Sequence, residues 1–223
     1  VLLYWAGLGY YSRARNIHKT ARLIEERGEF PNSRKEWLNL PGIGAYSAGA
    51  ILSIALNLPE AILDGNVERI LCRVRAIKNP KENKKRLWRL SEKLVHLAWK
   101  YQIKPSVFNQ AMIELGATVC SPKNPDCKNC PFSLVCRAKL MGKPAEYPAP
   151  RKKSWKKVSE KVYCITDRNN NVLIEKREGV GWRKGLYDFP DQIPGFIEQF
   201  LLSLRKEIQT SHVVTQHKIT RIT

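Results

Sequence analysis

The sequence predicts a mainly α domain followed by a smaller α/β domain, and three observations carry that reading. Residues Val1 to Ala138 repeat apolar positions at helical spacing between short loops, whereas from Val158 the pattern alternates as strands do. Between Arg137 and Lys161 both patterns stop: Pro144, Pro148 and Pro150 interrupt any helix, and nine Lys or Arg face two Glu. A chain of 223 residues, 43% of them hydrophobic, can bury one large core or two modest ones. The expected boundaries are 1–138 for the helical domain, 139–157 for a basic linker and 158–223 for the second domain.

The chain opens on "VLLYWAGLGYY", an apolar segment without an initiating Met, and is expected to start inside a domain. "RNIHKTARLIEERG" then places Ile17, Ala21 and Ile24 on one helical face and ends at Gly28. In "LPGIGAYSAGAILS", Gly42 and Gly44 lack the β-carbons that would crowd a tight turn, so backbone N–H groups could approach a phosphate. A lone GxG also serves simply to join two helices. "SAGAILSIALN" forms the next helix. "NVERILCRVRAI" offers Val67, Ile70, Leu71 and Val74 to the core, "KRLWRLSEKLVHLAWK" offers Leu87, Leu90, Leu94 and Leu97, and "SVFNQAMIELGATVC" offers Phe108, Met112 and Leu115. In the second domain "KVYCITD" and "NVLIEKRE" read as strands around the turn "RNNN"; "GLYDFPD" and "HKITRIT" read as strands flanking the helix "GFIEQFLLSLRKEI". The domain stops during a strand and is expected to be cut short.

The formal net charge of +19, from 39 Lys and Arg against 20 Asp and Glu, favours a polyanionic partner such as nucleic acid, with an acidic membrane surface as the rival. No run approaches the roughly 20 apolar residues of a membrane span, and no signal peptide is present. A soluble, cytoplasmic protein is expected, with no membrane partner.

Four of the six cysteines, Cys120, Cys127, Cys130 and Cys136, fall within the 17 residues of "CSPKNPDCKNCPFSLVC". Disulfides are rare inside cells, so four thiolates without a nearby His suit zinc or an iron–sulfur cluster. A zinc ribbon would prefer two CxxC pairs. One CxxC between asymmetric outer cysteines, with Pro125 and Pro131 holding compact turns, favours a four-cornered 4Fe–4S cluster. Cys72 and Cys164 lie in apolar runs and read as small core residues.

With "GLGYYSRARN", "LPGIGAYSAGAI", "LDGNVERIL" and "FNQAMIELGATVC" taken together, the chain resembles the helix-hairpin-helix DNA glycosylases of the endonuclease III superfamily, and among them the MutY-type adenine DNA glycosylases. The resemblance is close from Leu3 to Cys136 and weaker beyond, where "GLYDFP" is similar to the Nudix-like domain of that type. It implies a helix-hairpin-helix glycosylase domain with a 4Fe–4S loop, a truncated α/β Nudix-like domain, duplex DNA bearing an adenine mispair as partner, and a monomer. Endonuclease III carries a Lys in the hairpin helix, whose amine forms a Schiff base with the sugar; here that position is Tyr46, and a phenol forms no imine. The resemblance therefore implies hydrolysis without strand cleavage, removing adenine opposite 8-oxoguanine or guanine.

Such a reaction passes through an oxocarbenium-like state and needs an acid for the base and an anion for the sugar. By resemblance Asp64, 20 residues past Gly44, supplies the anion; Asn66 positions it or the water; and Tyr46 hydrogen-bonds near the sugar. "LDGN" is equally what a helix N-cap requires. The family's adenine-protonating Glu lies upstream of "GLGYY". Glu25, Glu26, Glu36 and Glu60 fit no family motif, so a protein starting at Val1 is expected to bind DNA poorly and cut no glycosidic bond. For DNA binding the resemblance assigns the amides of Gly42 and Gly44 to a phosphate, Leu8 and Tyr10 to wedging into the stack with Tyr11 left as core, and Gln110 to the adenine pocket. The family's Phe-Ser-His loop, which meets 8-oxoguanine, falls on "VVTQHKIT", where Thr215 and Gln216 precede His217. The four histidines show no ligand spacing. The alternatives are an endonuclease III-like glycosylase and lyase, or a DNA-binding module that has lost catalysis.

Overall fold

Helix α1 (Tyr11–Arg27) and the short α2 (Arg34–Leu38) are joined by a tight ionic corner at their ends. Ser33 caps α2 by accepting from the Glu36 amide, while the Glu36 carboxylate accepts from the backbone N–H groups of Asn32 and Ser33, 3.1 Å each, and pairs with Arg27 of α1. This computed structural model describes residues 1–150, 155–178, 184–198, 207–214 and 217–222, in two units, Val1–Pro150 and Arg151–Thr223.

In the first unit α3 (Ala45–Ala50) follows α2 across a six-residue turn and runs on as a π turn over Ile51–Ala55. Then come α4 (Gly65–Arg75), α5 (Lys84–Lys100), α6 (Pro105–Thr118) and the short α7 (Arg137–Leu140). Two apolar clusters hold them. Val67, Ile70, Leu71 and Cys72 of α4 meet Leu87 of α5 and Met112 of α6, because each helix repeats its apolar residues three and four apart. Trp37, Ala48 and Leu52 form the second cluster, with Ile24, Leu40, Ile43 and Ile51 packed on it, so α1, α2 and α3 share one core. Among the described residues no helix is long and apolar enough to cross a membrane.

In the second unit β1 (Lys156–Lys161) precedes β2 (Glu175–Lys176), β3 (Tyr187–Asp188), α8 (Gly195–Glu198), β4 (Gln209–Val214) and β5 (His217–Ile222). The mixed sheet has the order β1-β5-β4, with Val158 opposite Ile219 in the parallel pair and His212 opposite Ile219 in the antiparallel one. β2 and β3 form a separate antiparallel pair.

Several expectations shift. On α1 the buried residues are Ala14 and Thr20, while Ile17 and Ala21 face solvent; Thr20 donates to the Pro41 carbonyl at 3.0 Å, so the inward face is set by the hairpin turn beside it. Leu97 is also exposed, since it lies at the margin of the buried stripe of α5, about 80° from Leu87, while Val95 and Ala98 stay covered. The first part of the expected linker is packed: Tyr147 is buried with Cys136 and Ala138, and the Ala149 amide donates to the Lys78 carbonyl. The first strand lies at 156–161, ahead of "KVYCITD", and 165–173 forms a narrow hairpin closed by Asp167, which accepts from the amides of Asn169 and Asn171. A strand at Gln209–Val214 had no signal of its own. Cys164 is exposed and so is not a core residue. Of the helix read over residues 195–208, residues 199–206 lie outside the described residues.

The hydrogen bond from Arg27, followed by those from Ser33 and Asn32, draws the Glu36 carboxyl from 4.5 down to about 2. A carboxyl more acidic in the folded state stabilises above its unfolded value and loses that contribution as pH falls through the folded one. Thermal stability of the chain is therefore expected to decline between about pH 4.5 and 2, and Glu36→Gln to flatten that limb in melts recorded across the range.

Candidate nucleic-acid and cysteine-cluster site

The α2–α3 hairpin turns at Gly42, whose φ is +75°, a conformation that suits a residue without a side chain. A β-carbon there would also come within 2.6 Å of Asn16 Nδ2, so α1 leaves no room for one. Gly44 is different. It has extended backbone and open space about it and serves as the N-cap of α3. Both glycines are exposed, and among the described residues neither amide has an acceptor. The turn therefore presents two free N–H groups and the start of α3 to solvent, while Thr20 anchors its opposite side through Pro41.

From the end of the π turn the chain runs without regular structure to Asp64, and three neighbours pin it. Asn109 of α6 donates to the Glu60 carbonyl at 2.8 Å, Ser91 of α5 donates to the Ile62 carbonyl at 2.7 Å, and the Ala61 carbonyl lies against Gly49 of α3 so closely that no β-carbon fits. Arg34 bonds Glu60 at 2.6 Å and the Ala45 carbonyl at 3.1 Å, and its guanidinium lies over Trp88, 5.1 Å from the ring centre. Hairpin and segment are thus tied together. Asp64 then caps α4: Oδ1 accepts from the Val67 amide at 2.7 Å, and Oδ2 has no partner among the described residues. Capping and chemistry are not exclusive here, because one oxygen fixes the carboxylate and the other is free.

Asn66, two residues on, accepts through Oδ1 from Arg69 at 2.8 Å. Arg69 also donates to the carbonyls of Gly116 and Cys120, at 2.6 and 2.8 Å, so one guanidinium joins the start of α4 to the first of the four cysteines. Arg73, a turn further, is buried and donates to the carbonyls of Tyr147, Cys120, Ser121 and Pro122 and to Cys120 Sγ at 3.2 Å. A buried guanidinium is costly unless its N–H groups find acceptors, and here four carbonyls and the Cys120 sulfur supply them.

Cys120, Cys127, Cys130 and Cys136 line one small cavity together with Arg73 and Lys139. Among the described residues no three His, Cys, Asp or Glu side chains are set to hold a single metal ion. Burial, and then the charge of neighbouring cysteines, pushes the Cys127 thiol up; burial also raises Cys130. Burial therefore favours the neutral thiols at Cys127 and Cys130, and holding all four as thiolates would require a cationic centre among them.

The other expected residues are scattered. Leu8 and Tyr10 are 68% and 64% exposed, with Tyr10 in the left-handed region as the N-cap of α1, whereas the Tyr11 hydroxyl accepts from the Gly7 amide. Tyr46 lies in the first turn of α3, 44% exposed. Gln110 is exposed and bonds only the Ser106 carbonyl of its own helix, while its neighbour Asn109 is the one that points inward. His217 begins β5; Thr215 and Gln216 lie outside the described residues. Asn109, Ser91, Arg34, Arg69 and Arg73 were not singled out by sequence. For Arg69 and Arg73 a signal existed, since they follow Asn66 and each other at helical spacing; for the rest there was none.

The two glycines of the hairpin separate stability from surface. Gly42→Ala is expected to destabilise the chain by about 2–4 kcal/mol in urea unfolding, from the left-handed backbone and the collision with Asn16. Gly44→Ala is expected to stay within about 0.5 kcal/mol of the parent.

Residues 1–95 match the HhH-GPD superfamily of base excision DNA repair proteins. The chain is 37% identical over 232 residues to the adenine DNA glycosylase of Buchnera aphidicola subsp. Baizongia pistaciae, an alignment covering 100% of this chain and 64% of that protein. It is 48% identical over 141 residues to the human adenine DNA glycosylase, covering 60% of this chain and 25% of that protein. The chain thus spans only part of the length of these curated relatives. A solved structure of a thermostable thymine-DNA glycosylase superposes with a TM-score of 0.50 at 28% identity, over 58% of this chain and 59% of that one. The helical hairpin and the pinned aspartate both fall within residues 1–95, the stretch that matches the HhH-GPD superfamily of base excision DNA repair proteins, and the chain as a whole is similar to adenine DNA glycosylases.

Proposed function

We propose that this chain is the catalytic-scaffold part of a MutY-type adenine DNA glycosylase, which hydrolyses the bond between adenine and deoxyribose in duplex DNA where adenine stands opposite 8-oxoguanine or guanine. The observation that carries this is Asp64, fixed at the start of α4 by one oxygen with the other unpartnered. As adenine departs the sugar gains positive charge, and a carboxylate already held in place stabilises it without reorganising. Asn66, oriented by Arg69, positions the attacking water or the carboxylate, and Tyr46 hydrogen-bonds beside the sugar. A phenol in place of an amine at position 46 supports hydrolysis over Schiff-base lyase chemistry.

DNA is held by its backbone: the free amides of Gly42 and Gly44 and the start of α3 take a phosphate, and the exposed Leu8 and Tyr10 fill the gap left by the extruded base. Cys120, Cys127, Cys130 and Cys136 hold a 4Fe–4S cluster. One cavity is bounded by all four thiols, their spacing has a single CxxC rather than the two of a zinc ribbon, and Arg73 beside Cys120 complements the negative charge of a cluster. The cluster supplies structural cross-linking of residues 120–136 when bound. The second unit, with its mixed sheet, is part of a Nudix-like domain, the domain that in MutY-type enzymes meets the base opposite adenine.

Three measurements test the reading. In the full gene product, adenine release from an adenine:8-oxoguanine duplex under single-turnover conditions is expected to fall about 10²- to 10⁴-fold in Asp64→Asn, with no borohydride-trapped adduct in either protein. Unaltered adenine release in that variant would sink the assignment. Protein purified without oxygen is expected to be brown and to contain both iron and acid-labile sulfide; a colourless zinc protein would overturn the cluster. Gly44→Ala, which leaves stability intact, is expected to weaken duplex binding several-fold by keeping the phosphate from the hairpin amides.

A further inference from the structure

Helix α5 carries a second feature that the excision chemistry does not use. Arg89, Lys93, His96 and Lys100 are all exposed and succeed one another by four, three and four residues. At 3.6 residues per turn they fall within a sector of about 60°, a line roughly 16 Å long. The buried residues of the same helix, Leu87, Ser91, Val95 and Ala98, lie on the opposite side, about 180° away. Ser91 on that buried side bonds the Ile62 carbonyl just before Asp64, so the basic line points away from the segment that presents the carboxylate.

None of the four has an ion-pair partner among the described residues, although cations elsewhere in this unit do: Arg27, Arg34 and, at the start of α5 itself, Lys84 with Glu68. The open groove along the line is lined by α5 alone, with Glu92 as its one acid. Three permanent cations in a row, outnumbering the single carboxylate of Glu92 and in no ion pair with it, are complementary to a regular polyanion. One strand of a duplex carries a charge every 3.4 Å or so of axis, so about five phosphates pass along a 16 Å line. An acidic protein segment has no such fixed spacing.

We propose that the outward face of α5, with Arg89, Lys93, His96 and Lys100 aligned opposite the helix's buried face, is a second nucleic-acid surface that holds the sugar–phosphate backbone of a duplex segment other than the one presented to Asp64. Such contacts read no sequence. They allow one molecule to touch two stretches of DNA at once and so to pass between them without full release. The inference does not depend on adenine being the base removed.

The test uses the 223-residue chain and undamaged duplexes. Arg89→Gln/Lys93→Gln/Lys100→Gln is compared with Lys156→Gln/Lys157→Gln/Lys176→Gln, which removes equal charge from exposed positions of the other unit. Two read-outs are followed: the slope of log affinity against log salt, and energy transfer between donor- and acceptor-labelled duplexes brought together by the protein. The α5 variant is expected to lose about 2–3 from the magnitude of the slope and to abolish the transfer, while the control keeps the transfer. Single variants Arg89→Gln, Lys93→Gln and Lys100→Gln, each expected to lower the slope by about 1, serve if the triple variant does not fold. An unchanged slope, persistent transfer in the α5 variant, or equal losses in both triple variants would overturn the proposal. So would normal duplex binding by an α5 variant that no longer binds polyglutamate, which would assign the face to an acidic protein.

Discussion

The first unit depends on how the eight residues before Asp64 are held. They form no helix or strand, so their carbonyls need donors from elsewhere, and Asn109 and Ser91 supply two from different helices. Gly49 lets the Ala61 carbonyl approach α3, and Arg34 closes the arrangement by bonding both Glu60 and the hairpin helix. With one backbone hydrogen bond of its own, from the Glu60 amide to the Leu58 carbonyl, the segment is held mainly by the helices around it. That anchoring gives Asp64 a defined direction and ties the glycine turn to the carboxylate through packed side chains.

Charge is handled differently on the two sides of α4. Toward the hairpin, Asp64 is an anion at the positive end of a helix, hydrogen-bonded once and within electrostatic reach of Arg69. Toward the cysteines, Arg69 and Arg73 carry positive charge inward and bind carbonyls and a sulfur. The same roughly three turns of helix therefore connect the capping carboxylate of Asp64 with the cavity lined by the four cysteines. Arg69 touches both regions, through Asn66 at one end and Cys120 at the other. Any shift of the cysteine loop is transmitted to Asn66 by a side chain with three short hydrogen bonds, not by backbone alone.

Helix existence was legible wherever apolar spacing was regular. α4, α5 and α6 lie within two residues of their sequence-based bounds, and Val67, Ile70, Leu71, Leu87 and Met112 are buried as their spacing requires. α1 was found but its inward face was not, since the helix buries a threonine that bonds Pro41 in preference to Ile17. In the second unit the short strands were displaced, because alternation marks a surface that fits a sheet without naming the partner strand, and β1 pairs with a strand more than fifty residues away.

By itself the sequence determined the helical repeat, the four cysteines gathered in 17 residues, the glycine turn and the presence of an aspartate where α4 starts. These are local matters of spacing and backbone permissiveness, and chain order suffices to state them. Only the tertiary structure decided that Asp64 keeps one oxygen free, that Asn109 rather than Gln110 reaches inward, that Arg73 ends against a cysteine sulfur, and that Leu97 is left uncovered. Each of these depends on which distant group arrives beside a side chain. Helical periodicity gives a residue its direction, but what it meets there is set by the packing of helices that lie far apart in the chain.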